Sequence, residues 1–359
     1  MERNDYLDGI QCGPMSDEQA RACAESLLDG KFGDEEGATI LVALAERGES
    51  AAEITAFANA ILARAVAPPD VVVGGGIDLA GTGGSGLDRF NVSTTAALLT
   101  ASLGAKVVKH GNRGSRQPNG SFDFLEQLQM PFDLAPETMA AVYQQADLAL
   151  FFARAWHPAM AAVVGARKAA GRRTIFNLAA PLCNPASPPF QVLGASDGRV
   201  AETLIQVLNG LGRERALVMC GHPGIEDFST SGSTELWELR DGEVSSWTVT
   251  PEELGVAVAD YEALPRGDRF GGPGTAAPAL PERRGGLGVG ASDRHQYVAG
   301  FPVQQLLAGQ PGDGDRHGDR GQRGAGLLDQ PAGSRQCPAG GQHVVHQQHA
   351  HARCQCVGM

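Results

Sequence analysis

The sequence predicts an α/β protein, with a small N-terminal helical domain followed by a larger α/β domain built on a mainly parallel central sheet. Three observations carry this. Two Ser-initiated helix starts stand within the first 66 residues, short strand-like runs alternate with helical segments from there to about residue 221, and the composition changes character near residue 266. The expected domains are 1–69 (helical), 70–265 (α/β, with room for inserted helical-domain elements) and 266–359, a low-complexity tail.

In "MSDEQARACAESLLDGKF", Ser16 stands as an N-cap with Gln19 three residues on, and "ESAAEITAFANAILARA" repeats the device with Ser50 and Glu53. Apolar residues recur at helical spacing after each cap, so residues 1–66 read as a bundle of about three helices. "APPD" at 67–70 is a plausible hinge. Five runs then read as strands: "VVVGGGIDLAG", "AKVVKHG", "ADLALFFA", "GRRTIFN" and "RALVMCG". Helical segments, Thr94 to Leu103 and Pro136 to Gln145 among them, separate the strands, which is the pattern of a parallel sheet.

At 359 residues the chain is long enough to bury a sizeable core. Its formal net charge of −12 argues against general affinity for nucleic acid. That figure hides two unlike regions: 266–359 holds 10 arginines against 7 acidic residues, a net of +3, which leaves 1–265 with 19 basic and 34 acidic residues, a net of −15. The longest apolar runs fall far short of the ~20 residues of a membrane span. Seven unevenly spaced cysteines and no charged-then-apolar leader suggest a reduced, cytoplasmic setting.

The segment "GTGGSG", Gly81 to Gly86, follows a strand and removes side chains from a turn, so that main-chain amides can approach an anion. "NVSTT" then places Asn91, Ser93, Thr94 and Thr95 at a helix start, where free amides, hydroxyls and the helix dipole favour a second anion. Two adjacent anion cradles suit a ligand phosphorylated at both ends; the alternative is a glycine turn capped by Asn and Ser. Lys109, His110, Asn112 and Arg113 end the next strand, and strand carboxyl ends face the ligand crevice of a parallel sheet. Cations and amides there can hold a carboxylate or a heteroaromatic edge.

These segments, together with "GSFDFLE", "FFARAWHPAM", "RKAAGRRTIFNLAAPLCNPA" and "GIEDFSTSGSTELWEL", resemble in order and spacing the anthranilate phosphoribosyltransferase family, within the nucleoside-phosphorylase-like fold. Members couple phosphoribosyl pyrophosphate to the amine of anthranilate, releasing pyrophosphate, in tryptophan biosynthesis. The resemblance implies that Gly81, Thr82, Gly83 and Gly84 cradle the pyrophosphate and that Asn91, Ser93 and Thr94 hold the 5-phosphate. Lys109, His110, Gly111 and Asn112 would line the space between ribose and acceptor, with Lys109 and His110 the candidate catalytic groups. Arg167 would steer the acceptor carboxylate, and Glu226 and Asp227 would hold Mg2+ against the pyrophosphate. Read without the resemblance, Arg167 is a solvated helix arginine, Glu226-Asp227 a surface turn and His110 a structural histidine. The resemblance also implies a homodimer through the N-terminal helices, where Ala20 to Leu28 and Ile54 to Ala65 carry more apolar surface than three short helices bury alone. Alternatives are a paralogue with another nitrogen acceptor, a nucleoside phosphorylase, and a noncatalytic nucleic-acid-binding relative, which the net acidity opposes.

The sequence departs from the family pattern at several points. Ser85 stands where Asp is usual after "GTGG", the acidic pair is reversed, Arg116 and Gln117 replace a serine pair, and Ala180 replaces a glycine. Beyond residue 265 the chain contains no Ile, Lys, Asn or Trp and no long amphipathic period. Such text is either a disordered tail or the product of a reading-frame shift in a GC-rich gene. The frame shift is favoured, because an expected helical segment is missing as well as an unusual one present. "HVVHQQHAHARCQC" within it, bearing His343, His346, His349, His351, Cys354 and Cys356, has adventitious metal affinity at most, since its spacing defines no known site.

Overall fold

The computed structural model describes residues 2–83, 90–114 and 118–261. The expectations placed on Gly84, Ser85, Arg116, Gln117 and everything from residue 266 onward lie outside those residues.

Both capping boxes form. Ser16 Oγ accepts from Gln19 N–H at 3.3 Å while Gln19 Oε1 accepts from Ser16 N–H at 3.1 Å, and Ser50 and Glu53 make the same exchange. Four helices result rather than three: α1 (Arg3–Gln11), α2 (Asp17–Leu28), α3 (Asp34–Arg47) and α4 (Ala51–Leu62). One of them, α3, starts at Gly33, whose N–H donates to Glu36 Oε2 at 3.4 Å with no Ser/Thr side chain to announce the cap. Glu53 does more than cap. Fully buried, its carboxylate accepts from Met15 N–H at 2.9 Å and pairs with Arg47 at 2.5 Å, which fastens the α1–α2 connection to α4.

The α/β region runs β1 (Ile77–Gly81), α5 (Val92–Ser102), β2 (Val107–Gly111), α6 (Ser121–Gln127), α7 (Pro136–Ala146), β3 (Leu148–Phe152), α8 (Ala153–Trp156), α9 (Val164–Ala170), α10 (Ile175–Ala179), β4 (Phe190–Gly194), α11 (Gly198–Gly210), β5 (Arg215–Gly221), β6 (Thr234–Arg240) and β7 (Glu243–Val249). The seven strands form one sheet in the order β3-β2-β1-β4-β5-β6-β7. The first five in sequence are mutually parallel and the last two antiparallel, in keeping with the expected mainly parallel sheet.

The strand expected at "GRRTIFN" is instead the start of α10. Thr174 caps it, with Asn177 Oδ1 accepting from Thr174 N–H at 3.1 Å. The β-branched Thr174-Ile175 pair looks strand-like, but successive residues Ile175 and Phe176 are both fully buried, which a half-buried strand does not allow. The true neighbour of β1 on that side is β4, whose short run follows Pro188 and Pro189.

The larger core joins the N-terminal helices to α9, α10, α11 and one face of the sheet, with Leu41, Phe57, Phe176 and Leu204 completely covered. α9 crosses α3 closely: a Cβ on Gly37 would stand 2.9 Å from the Ala166 methyl, and one on Gly165 would run into the Asp34 carboxyl. Most apolar residues of Ala20 to Leu28 and Ile54 to Ala65 are buried within this single chain, while Ala22, Ala56, Leu62 and Ala65 are half-buried and Ala63 is exposed. α10 and α11 pack against α4 and so cover part of the apolar surface on which the expected dimer contact rests.

Candidate active site

The carboxyl ends of the five parallel strands lie along one edge of the sheet. Thr82, just past β1, donates its N–H to Gly194 O at 2.9 Å, and Gly83 adopts φ +67°, a conformation that glycine takes without a steric cost. Asn91 caps α5: its Oδ1 accepts from Thr94 N–H at 3.4 Å, and its Nδ2 reaches Asn119 O at 3.5 Å. Ser93 is half-buried in the first turn. The hydroxyl oxygens of Thr82 and Thr94 are buried with no hydrogen-bond partner among the described residues, so two polar atoms at this edge are left for a ligand or water.

On β2, Lys109 is 1% exposed and its ammonium donates to Leu79 O at 2.5 Å. Burial pushes it down to about 8 against the pull of Asp78. His110 is also buried, and its Nε2 stands 3.2 Å from Nε2 of His157. Burial first, then His157 and Lys109, hold His110 well below the ordinary histidine range, and burial takes His157 down to about 4. Gly111 has no room for a side chain, because a Cβ would strike Ser121 Oγ. Asn112 O accepts from Phe122 N–H at 3.3 Å, and Asn112 Oδ1 accepts from Arg113 N–H at 2.8 Å.

Arg113, expected from its place at the strand end to help hold an acidic group, is already committed. It makes two bonds to Glu126 at 2.5 and 3.0 Å, lies 3.5 Å from Asp123 and stacks on Phe132 and Phe152. Arg167 is different. It projects from α9 half-buried, makes no ion pair or hydrogen bond among the described residues, and is lowered by burial alone.

Glu226 and Asp227 follow β5 through a turn that folds back on the sheet edge, where Gly221 and Ile225 exchange main-chain bonds at 2.9 and 2.8 Å. Glu226 lies across the ends of β1 and β4. A Cβ on Gly81 would sit 3.6 Å from Glu226 Cβ, and one on Gly194 would overlap the Glu226 carbonyl. The fold therefore brings Gly81, Thr82 and Glu226 together from segments some 145 positions apart in the sequence. Among the described residues no group of three His, Cys, Asp or Glu side chains is arranged to hold a metal. An acidic pair with oxygen donors only, beside a glycine turn, nevertheless suits a hard cation that completes its shell with phosphate oxygens and water. Two residues absent from the sequence-derived site are His157, against His110, and Asp78, whose Oδ1 accepts from His110 N–H at 3.2 Å. The quoted "FFARAWHPAM" contains the first; the second is a lone strand carboxylate with no local signal.

A helical bundle packed on a mainly parallel sheet, with a glycine turn, a capped helix start and an acidic pair gathered at one strand edge, defines a glycosyl-transfer enzyme of this architecture. The α/β domain of the glycosyl transferase family matches residues 74–272, and its helical bundle domain matches 6–65. The chain belongs to the anthranilate phosphoribosyltransferase family. It is 39% identical over 252 residues to the anthranilate phosphoribosyltransferase of Corynebacterium diphtheriae, covering 70% of this chain and 73% of the relative. The crystal structure of the Thermus thermophilus enzyme is similar with a TM-score of 0.66 and 34% identity, covering 75% of this chain and 79% of that one. The Saccharomyces cerevisiae enzyme, solved in complex with PRPP and Mg, shares the fold with a TM-score of 0.62 at 24% identity, over 72% and 75% of the two chains.

Proposed function

We propose that this chain transfers the phosphoribosyl group of phosphoribosyl pyrophosphate to anthranilate, releasing pyrophosphate, in tryptophan biosynthesis. The observation that carries the reading is the meeting of Glu226 with the Gly81–Gly83 turn, next to the capped start of α5. The Thr82 hydroxyl and the Gly83 backbone of the turn face one phosphate-bearing end of the donor, and the Asn91 side-chain amide with the hydroxyls of Ser93 and Thr94 faces the other.

In the reaction the bond from ribose C1 to pyrophosphate oxygen breaks with its electron pair leaving on oxygen, and the anthranilate nitrogen forms the new bond to C1 and then gives up a proton. An aromatic amine is already a competent nucleophile, so the protein's task is to stabilise charge on the leaving oxygen and to hold the amine close. Glu226 and Asp227 would hold Mg2+, which would supply charge neutralisation for the leaving pyrophosphate. Arg167, with no ion pair or hydrogen bond among the described residues, offers its guanidinium to the acceptor carboxylate. His110, neutral at pH 7 because of its burial, is able to accept the released proton.

Among the described residues no helix is long and apolar enough to cross a membrane, and we assign the activity to the cytoplasm. The homodimer rests on the family resemblance, and light scattering at micromolar concentration decides it. The test of function is thermal unfolding with phosphoribosyl pyrophosphate and Mg2+, together with loss of anthranilate fluorescence. A ligand selective for the native state adds about 2.7 kcal/mol at one hundred times its Kd. No thermal shift at saturating ligand, or anthranilate loss independent of the donor, overturns the reading.

A further inference from the structure

β1 and β2 are neighbours, yet their ladder contains a single paired position, Ile77 with Val107. The ladders of β1 with β4 and of β2 with β3 each run over five. With Ile77 N–H bonded to Lys106 O at 2.9 Å, the next rung of a parallel pair would join Leu79 N–H to Val108 O, and His110 N–H to Leu79 O. Side chains have taken those places. Val108 O accepts from Asn184 Nδ2 at 2.6 Å, Leu79 O accepts from Lys109 Nζ at 2.5 Å, and His110 N–H donates to Asp78 Oδ1 at 3.2 Å. Asn184 Nδ2 also reaches Asp78 Oδ2 at 3.0 Å, which ties the substitutes into one group.

All three side chains are buried, Asp78 and Asn184 completely. A carboxylate and an ammonium in the middle of a sheet cost several kcal/mol in lost hydration, and apolar residues over an unbroken ladder would be at least as stable. Stability is therefore a poor account of the arrangement. An inserted carboxylate, amide and ammonium need room that a continuous ladder lacks, and the break begins where β1 leads to the Gly81–Gly83 turn and β2 to Gly111 and Asn112. Thr82 N–H bonds to Gly194 O as the regular continuation of the β1–β4 ladder, which therefore runs on past the point where β1 and β2 part.

We propose that Asp78 is a positioning residue for the transfer: with Lys109 and Asn184 it bridges β1 and β2 in place of main-chain rungs and so sets the spacing between the Gly81–Gly83 turn and His110. This rests on the phosphoribosyl-transfer reading for its functional half. Lys109 then acts through the backbone of β1, and its effect on turnover depends on Asp78.

The experiment uses the full chain with Asp78→Asn, Lys109→Gln and the double variant, and Asp78→Ala for a structural readout. Amide exchange of the 107–112 peptide decides the bridge without reference to activity: Asp78→Ala raises it about ten-fold while the β3 peptide stays put, and an unchanged rate overturns the proposal. Kinetics decide the positioning. Each single variant leaves a buried charge unpaired and lowers kcat by on the order of ten-fold or more, with a smaller change in the donor KM, and the double variant falls no further than the worse single. Losses that multiply in the double variant overturn the coupling and make Lys109 an independent contact. Should the unsubstituted chain bind donor without consuming anthranilate, the acceptor assignment fails, and the same cycle is read on donor affinity, with coupling again supporting the proposal and additivity overturning it.

Discussion

The Nε2 atoms of His110 and His157 face each other at 3.2 Å with their ring planes at 78°. Two imidazolium rings cannot share that contact, because both nitrogens would be donors, so at least one ring is neutral and accepts. Burial is the main cause that holds both below the unfolded value of about 6.5. A depressed folded value means that the unfolded chain binds more protons in the window between. The stability of the pair is thus complete above about pH 6.5 and is lost as the pH falls through the folded values. Unfolding followed between pH 7 and 5 should show a falling Tm, and His157→Gln should flatten that slope. An identical slope in the variant would dismiss the pair as the cause.

Asn91→Asp separates capping from ligand binding. Asp and Asn are equivalent N-caps, so the bond to Thr94 N–H and the Tm should survive, whereas Asn91→Ala should lose about 1 kcal/mol. The new carboxylate, however, faces the expected 5-phosphate. The KM for phosphoribosyl pyrophosphate should rise about ten-fold or more with little change in the acceptor KM. If Asn91→Asp binds the donor normally, the 5-phosphate does not sit at the start of α5.

Local chemistry makes much of the fold legible in the sequence. The Ser16 and Ser50 boxes need only residues three apart, and β1, β2, β3 and β5 announce themselves as short apolar runs. The error at Ile175 comes from weighing β-branched residues above the Thr174–Asn177 cap. The β6–β7 hairpin carries a signal that the sequence reading leaves unused: Asp241 and Gly242 both take positive φ, the pattern of an Asp-Gly type I′ turn. Asp78 is another matter. Its partners His110 and Asn184 lie 32 and 106 residues away, and only the folded sheet brings them within bonding distance.

Gly194→Ala probes the acidic pair from beneath. The added methyl would overlap the Glu226 carbonyl, and main chain yields less readily than a side-chain tip. Overpacking of this kind costs about 1–3 kcal/mol and displaces the Glu226–Asp227 turn from the ends of β1 and β4. Titration of activity with Mg2+ should show a higher half-saturation concentration, with the acceptor KM unaffected. A normal Mg2+ requirement in a folded variant would remove Glu226 and Asp227 from the metal site.

Arg167 gives the sharpest test of the acceptor end. It has no ion pair or hydrogen bond among the described residues, and burial alone lowers it, so its removal breaks no ion pair recorded there. Arg167→Ala should therefore keep or slightly raise the Tm. A guanidinium binds a carboxylate through two parallel bonds, and a lysine at the same place offers a compact point charge on a differently shaped stem. Arg167→Lys should raise the anthranilate KM about ten-fold, equivalent to about 1.4 kcal/mol, and Arg167→Ala should raise it further, while the donor KM stays within about two-fold. Anthranilate fluorescence at fixed donor concentration measures the first, and pyrophosphate release at fixed anthranilate the second. A loss confined to the donor KM would move Arg167 to the phosphate end of the crevice, and no change in either constant would return it to a solvated helix arginine.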